Sequence, residues 1–321
     1  MENQQPKVIS GVEIWQWRNI AIQTAIAHDV SPLEVDWLLQ EIAGLDRLAL
    51  RLESFKAWNH IQMQLSLEEL DQLWQRRLYD RLPVQYIAGV TPWRLFKLAV
   101  SSAVLIPRPE TEMLIDLAVA AANQCKDVPW NVSTQQHWAD LGTGSGAIAL
   151  GLAEVLTNAT IHAVDLSAEA LAVAKTNAEN LGFGERIKFY QGSWWQPLES
   201  LKGQFSGMVS NPPYIPSDTV MTLQPEVVKH EPHLALDGGF DGLDYIRHLI
   251  AISPQYLRPG GVWLIEMMAG QADIVRELLE NNGNYYNISI HADLAGIERF
   301  AVAYIKMSDS DKKDNYTHFI L

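Results

Sequence analysis

Three scarcities in this sequence each close off a class of protein. There is one cysteine, Cys125, so no intramolecular disulfide can form, and a lone cysteine is expected in the core. No apolar run approaches the ~20 residues that a membrane span needs, so no membrane association is expected. Positive charge is short as well: 24 Lys and Arg stand against 38 Asp and Glu, a formal net charge of −14. A general nucleic-acid binder normally shows a basic face, so direct nucleic-acid contact is not expected. The first residues, Met1-Glu2-Asn3-Gln4-Gln5, carry no apolar h-region. A signal peptide is therefore not expected, and the chain is expected to be cytoplasmic.

What is present is an apolar fraction of 48% over 321 residues, enough for two domains. Residues 1–82 read as a small helical bundle. Ser31-Pro32-Leu33-Glu34 and Ser66-Leu67-Glu68-Glu69 have the form of capping boxes. Leu67, Leu70, Leu73, Trp74 and Leu78 then fall on one helical face. Trp15, Trp37, Trp58 and Trp74 are expected to pack in the core. Arg76, Arg77 and Arg81 form either a solvated face or a patch for an acidic or phosphate-bearing partner. Residues 83–106 change character: Pro83-Val84-Gln85-Tyr86-Ile87 and Leu95-Phe96-Lys97-Leu98 predict strands of a β-hairpin linker.

Residues 107–308 alternate between strand and helix, which implies an α/β domain with a parallel sheet. Strands are predicted at 137–141, 160–165, 186–190, up to 210, 261–266, 287–291 and 299–305, seven in all. Residues 309–321 form a polar tail.

Two stretches carry chemistry. The first is Asp140-Leu141-Gly142-Thr143-Gly144-Ser145-Gly146, where a strand turns into a helix. Its spacing is G-x-G-x-G, not the G-x-G-x-x-G of dinucleotide binders. The acid just before it would repel a pyrophosphate but suits a cationic amino acid moiety. Alone, the glycines serve equally well as a structural turn. Asp165 decides the matter, since it ends the next strand, where a carboxylate accepts ribose hydroxyls. Acid, glycine turn and second acid describe a site for S-adenosylmethionine.

The second stretch is Asn211-Pro212-Pro213-Tyr214. Two prolines cannot continue a ladder, so the chain leaves the sheet there, at a strand's carboxyl end. The Asn211 side-chain oxygen and the Pro212 carbonyl are two acceptors suited to an –NH2 group, and the Tyr214 ring suits a planar amide or base. By itself the tetrapeptide is equally a Pro-Pro turn begun by an Asn.

Together these stretches resemble the class I methyltransferases that act on planar nitrogens. Leu105-Ile106-Pro107-Arg108-Pro109-Glu110-Thr111-Glu112, His230-Glu231-Pro232, Gly239-Phe240-Asp241-Gly242-Leu243 and Asp293-Leu294-Ala295-Gly296 narrow the resemblance. With Pro83–Ile87, they resemble the release-factor glutamine methyltransferase family. One departure is Glu266-Met267-Met268, where the family commonly has Glu-Ile-Gly.

The resemblance implies a seven-stranded, Rossmann-like sheet behind a helical bundle that selects the partner. It implies transfer of a methyl group from S-adenosylmethionine, leaving S-adenosylhomocysteine, without a metal. The acceptor implied is the glutamine of the Gly-Gly-Gln loop of peptide chain release factors. Gly142, Thr143, Gly144, Ser145 and Gly146 would cradle the cofactor, Asp165 would hold its ribose and Trp194 would flank its adenine. Asn211, near the cofactor, would bind the substrate amide together with Pro212, Pro213 and Tyr214. Rival readings are a ribosomal-protein glutamine, a DNA or RNA amino group, and a non-catalytic cofactor-binding adaptor.

Overall fold

The computed structural model describes residues 7–124 and 136–307, so Cys125 and the polar tail lie outside the described residues. The chain divides into two units, Met1–Thr91 with Gln224–His230, and Pro92–Leu223 with Glu231–Leu321.

The first unit is mainly helical. It comprises β1 (Lys7–Ile9), α1 (Gly11–Ala27), α2 (Leu33–Ala43), α3 (Arg47–Leu52), β2 (Ile61–Met63), α4 (Leu67–Tyr79) and α5 (Val84–Ala88). Ser66 caps α4 reciprocally: Glu69 N–H donates to its Oγ at 3.2 Å, and its own N–H donates to Glu69 Oε2 at 2.8 Å. The predicted capping box at Ser31 does not form. Pro32 takes the N-cap position of α2 without a side-chain bond, and Glu34 is drawn instead into a two-pronged pair with Arg77, at 2.6 and 2.9 Å. Arg77 also donates to Glu226 at 2.8 Å, which ties residues 224–230 into this unit. It is therefore a buried clamp and not part of a surface patch. Trp74 is core, whereas Trp58 is 43% exposed, against expectation. Pro83-Val84-Gln85-Tyr86-Ile87 is helical, not extended. Pro83 sits at the N-cap, where its missing N–H costs nothing, and Val84 and Ile87 are buried at helical spacing.

The chain passes between the units in a hairpin, β3 (Val90–Trp93) with β4 (Phe96–Ala99). The second unit continues with α6 (Met113–Gln124), β5 (Gln136–Leu141), α7 (Ala147–Val155), β6 (Ala159–Asp165), α8 (Ala168–Asn180), β7 (Ile187–Gln191), β8 (Phe205–Ser210) and α9 (Ser217–Val220). Helix α10 (Pro225–His230) belongs to the first unit. The second unit resumes through α11 (Asp244–Ile252), β9 (Leu257–Glu266), α12 (Ala272–Asn282), β10 (Tyr285–Ala292) and β11 (Glu298–Ile305).

Seven strands form one sheet in the order β10-β11-β9-β8-β5-β6-β7. The pairings among β5, β6, β7, β8 and β9 are parallel, while β11 runs antiparallel to β9 and β10. Both faces are covered, so neighbouring residues of a strand enter different cores. Trp138, Val209 and Leu264 join one cluster with Leu114, Ile115 and Leu150. Ala139, Met208 and Ile265 join another with Ile246, Leu249 and Val275. From β5 the chain crosses to β6 on one side, yet β8 lies on the other. The carboxyl ends of β5 and β8 thus form the switch point where an open α/β sheet leaves a crevice. Leu141 and Ser210 stand opposite each other there, joined by a 2.7 Å bond from Ser210 Oγ to the Leu141 carbonyl.

Candidate active site

A cavity of about 240 Å³ opens at this switch point. Gly142, Gly144, Asp165 and Trp194 line one part of it, and Asn211 and Pro213 another. Thus residues far apart in sequence, singled out from two separate stretches, share one chamber. Val104, Leu234 and Tyr245 add walls that gave no signal in the sequence, and Leu105 and Pro232 come from stretches that carried the resemblance.

The glycine turn is shaped by backbone bonds. Gly144 has φ +54°, and its N–H donates to Asp165 Oδ2 at 2.8 Å. A Cβ at Gly144 would stand in open space, so the backbone itself is the wall there. Ser167 N–H donates to Asp165 Oδ1 at 2.9 Å. With Leu166 N–H as a third backbone partner, the carboxylate's four lone-pair sites still leave room for a further donor. Burial raises the Asp165 carboxyl above its ordinary value, against these N–H bonds.

Of the expected site residues, Thr143, Ser145, Gly146, Pro212 and Tyr214 are not among the cavity-lining residues. Thr143 Oγ1 turns inward and donates to Asp140 Oδ2 at 2.5 Å, while the Ser145 carbonyl accepts from Asn177. Gly146 is the N-cap of α7. Asp140 is fully buried and does not line the cavity either. Its Oδ2 also accepts from Ala149 N–H at 3.0 Å, and burial pushes its carboxyl up to about 7. The acid before the glycines therefore braces the turn from behind.

Trp194 reaches the cavity with a left-handed backbone, φ +52°, and its ring lies beside Gly142. Trp195 is buried, stacked on Tyr256 with ring centroids 6.0 Å apart.

At the other end, Asn211 Nδ2 donates to Thr111 Oγ1 at 3.2 Å. No described residue donates a hydrogen bond to Asn211 Oδ1 or to the Pro212 carbonyl. Thr111 Oγ1 donates to Glu266 Oε2 at 2.8 Å, and Tyr214 OH donates to Glu266 Oε1 at 3.1 Å. Glu266 is 2% exposed, and burial lifts its carboxyl to about 7. Burial and the Glu266 carboxyl also push the Tyr214 phenol far up, so it stays protonated.

Tyr214 is fixed from its backbone too. Its carbonyl accepts from Gln271 Nε2 at 3.0 Å. A Cβ at Gly242 would sit 2.2 Å from that carbonyl, which explains a glycine here in the Gly239–Leu243 loop. Glu231 is buried and pairs with Arg108 at 2.8 Å. It thus ties the chain after α10 to the stretch before α6.

Thr111, Glu266 and Gln271 hold Asn211 and Tyr214 without lining the cavity, and the motifs assigned them no role. Thr111 stands between Glu110 and Glu112 in a stretch that served only to narrow the resemblance. Glu266 was visible only as the end of a strand and the first residue of Glu266-Met267-Met268.

A methyltransferase-domain family model matches residues 134–319. A release factor glutamine methyltransferase of Synechocystis is 53% identical over 300 residues, covering 92% of this chain and 97% of its own. One from Thermosynechococcus vestitus is 46% identical, covering 90% and 96%. The chain belongs to the release factor glutamine methyltransferase family. The resemblance read from the motifs is borne out, as is the seven-stranded methyltransferase fold. Among solved structures, the hMettl16 catalytic domain, in complex with a MAT2A 3'UTR hairpin, matches with a TM-score of 0.50. At 15% identity, over 78% of this chain and 86% of that one, it shows the fold alone. No helix among the described residues is long and apolar enough to cross a membrane.

Proposed function

We propose that this chain methylates the side-chain amide nitrogen of the glutamine in the Gly-Gly-Gln loop of peptide chain release factors, with S-adenosylmethionine as donor. Family membership supports the reaction class. The observation that carries the site assignment is the state of Asn211: its NH2 is engaged by Thr111 while its oxygen has no donor, at the wall of a cavity shared with Gly144 and Asp165.

The cavity fits the cofactor on its own chemistry. Asp165 keeps room for a ribose hydroxyl as donor, the open Gly144 backbone admits close approach, and Trp194 offers an aromatic wall for the adenine. When bound, S-adenosylmethionine supplies a methyl group already activated by its sulfonium, so the protein's work is positioning.

An amide nitrogen is a poor nucleophile because its lone pair is delocalised into the carbonyl. Asn211 Oδ1 and the Pro212 carbonyl would each accept one amide hydrogen, raising electron density on nitrogen and orienting its lone pair. Tyr214, anchored at its hydroxyl and its carbonyl, would hold the amide plane. We assign partner selection to the helical unit, which exposes Ile20, Ile26, Leu48 and Leu52.

The test is incubation with labelled cofactor and, separately, release factor, ribosomal protein, DNA and tRNA, followed by peptide mass spectrometry. One methyl on the Gly-Gly-Gln glutamine is expected. Label on another candidate, with none on release factor, overturns the reading.

A further inference from the structure

Asn211 can stand either way round, since its oxygen and NH2 differ little in shape. Only one orientation serves a substrate amide, which brings N–H groups and needs acceptors. The orientation is settled by proton counting through three side chains drawn from across the unit. Thr111 lies 100 residues from Asn211 and 155 from Glu266, and Tyr214 lies 52 from Glu266.

An ionised Glu266 has no proton to give, so both its neighbours must donate to it. Tyr214 uses its one proton on Oε1 and Thr111 its one proton on Oε2. The Thr111 oxygen can then only accept, so it takes the Asn211 NH2. Asn211 Oδ1 is left toward the cavity. A protonated Glu266 carries a proton of its own and releases one neighbour. If Thr111 is released, its hydroxyl can donate to Asn211, and the amide can turn over. It would then offer N–H to N–H.

We propose that Thr111 and Glu266 are positioning residues that set the orientation of the Asn211 amide and so present its oxygen to the substrate. This rests on the function proposed above and adds two residues and a regulation to it. Neither lines the cavity: Thr111 acts through Asn211, and Glu266 acts through Thr111 while also anchoring the Tyr214 hydroxyl.

The charged groups around the relay are few. Arg299, on β11 and paired with Asp293 at 2.7 Å, favours the ionised carboxyl of Glu266, and Glu110 opposes it. Arg108, paired with Glu231, acts on Tyr214. Burial outweighs them and leaves the Glu266 carboxyl at about 7. Above that pH the carboxyl is ionised and the relay is set. Below it the relay loosens, so turnover falls as pH drops through about 7, with cofactor binding unaffected.

The experiment is single-turnover methyl transfer to release factor at saturating cofactor, from about pH 6 to about 8.5, with thermal unfolding and cofactor affinity measured alongside. Wild type, Thr111→Val, Thr111→Ser and Glu266→Gln are compared. We expect Thr111→Val to slow transfer by on the order of 10- to 100-fold with cofactor affinity unchanged, since small misplacements of a reacting group cost that much. Thr111→Ser, which keeps the hydroxyl, should restore most of the rate. Glu266→Gln should lose the acidic limb of the pH profile.

Thr111→Val at wild-type rate, or Glu266→Gln with the wild-type acidic limb, overturns the proposal. So does a Thr111→Val whose only changes are in melting temperature and cofactor affinity. If Thr111→Val does not fold, the Glu266→Gln profile decides. A wild type that places no methyl on the glutamine instead overturns the proposed function itself, which the wild-type arm reads separately.

Discussion

The cavity has two ends, built in opposite ways. At one end, the Asp165 carboxylate is held by the backbone N–H groups of Gly144 and Ser167, near neighbours of two adjoining strand ends. At the other, the Asn211 amide is held by a side chain, which is held by another side chain, across β8, β9 and the turn before α6. A backbone-held group is fixed by local chain geometry and tolerates distant substitution. A group held by side chains can be misaligned from far away, or by one proton on Glu266. The first arrangement suits a cofactor that many methyltransferases share. The second suits an acceptor whose lone pair must be aimed.

The largest effect should come from breaking the amide end. Asn211→Ala is expected to lower turnover by on the order of 10²- to 10³-fold, as removal of one preorganised polar contact does elsewhere, while calorimetry finds cofactor affinity within about twofold. Asn211→Asp should be nearly as slow at neutral pH. It loses the NH2 that Thr111 accepts and points a second carboxylate at a hydroxyl already committed to Glu266. Substantial activity in this variant would make the role of Asn211 purely electrostatic.

Breaking the cofactor end should cost less. Asp165→Ala removes a charge-assisted acceptor of about 1.5–3 kcal/mol, which weakens cofactor binding roughly ten- to a hundredfold by calorimetry. Gly144→Ala meets no protein atom within 4 Å, but its methyl would stand where the cofactor approaches, on a left-handed backbone, φ +54°. The left-handed backbone should lower stability by about 1–2 kcal/mol, read as a fall in melting temperature, and the methyl should weaken cofactor binding, read by calorimetry.

The smallest effect sharpens the comparison. Asp140→Asn should leave cofactor affinity within about twofold. The carboxyl is turned from the cavity and lies near 7, so the amide resembles its protonated form and keeps an oxygen for Thr143 and Ala149. A tenfold loss on titration would mean that Asp140 reaches the ligand directly.

The same division between local and distant contacts explains what the sequence disclosed. The five parallel strands, β5 to β9, were legible because buried parallel strands are short apolar runs. The glycine turn, Asp165 and Asn211 were legible because each sits where a strand ends. Pro83–Ile87 misled because a five-residue apolar run fits strand or helix, and only packing of Val84 and Ile87 decides. Ser31 had the spacing of a cap, but Arg77 competes for Glu34 from 43 residues away. Thr111 and Glu266 were not legible because their pairing spans 155 residues and nothing local marks it.

The separability of the two ends is tested most directly by single-turnover methyl transfer to release factor at saturating cofactor, with Asp165→Ala and Asn211→Ala side by side. Saturation should return Asp165→Ala close to the wild-type rate and leave Asn211→Ala slower by on the order of 10²-fold or more. Near-normal glutamine methylation by Asn211→Ala, or an Asp165→Ala that stays slow when saturated, would contradict the account.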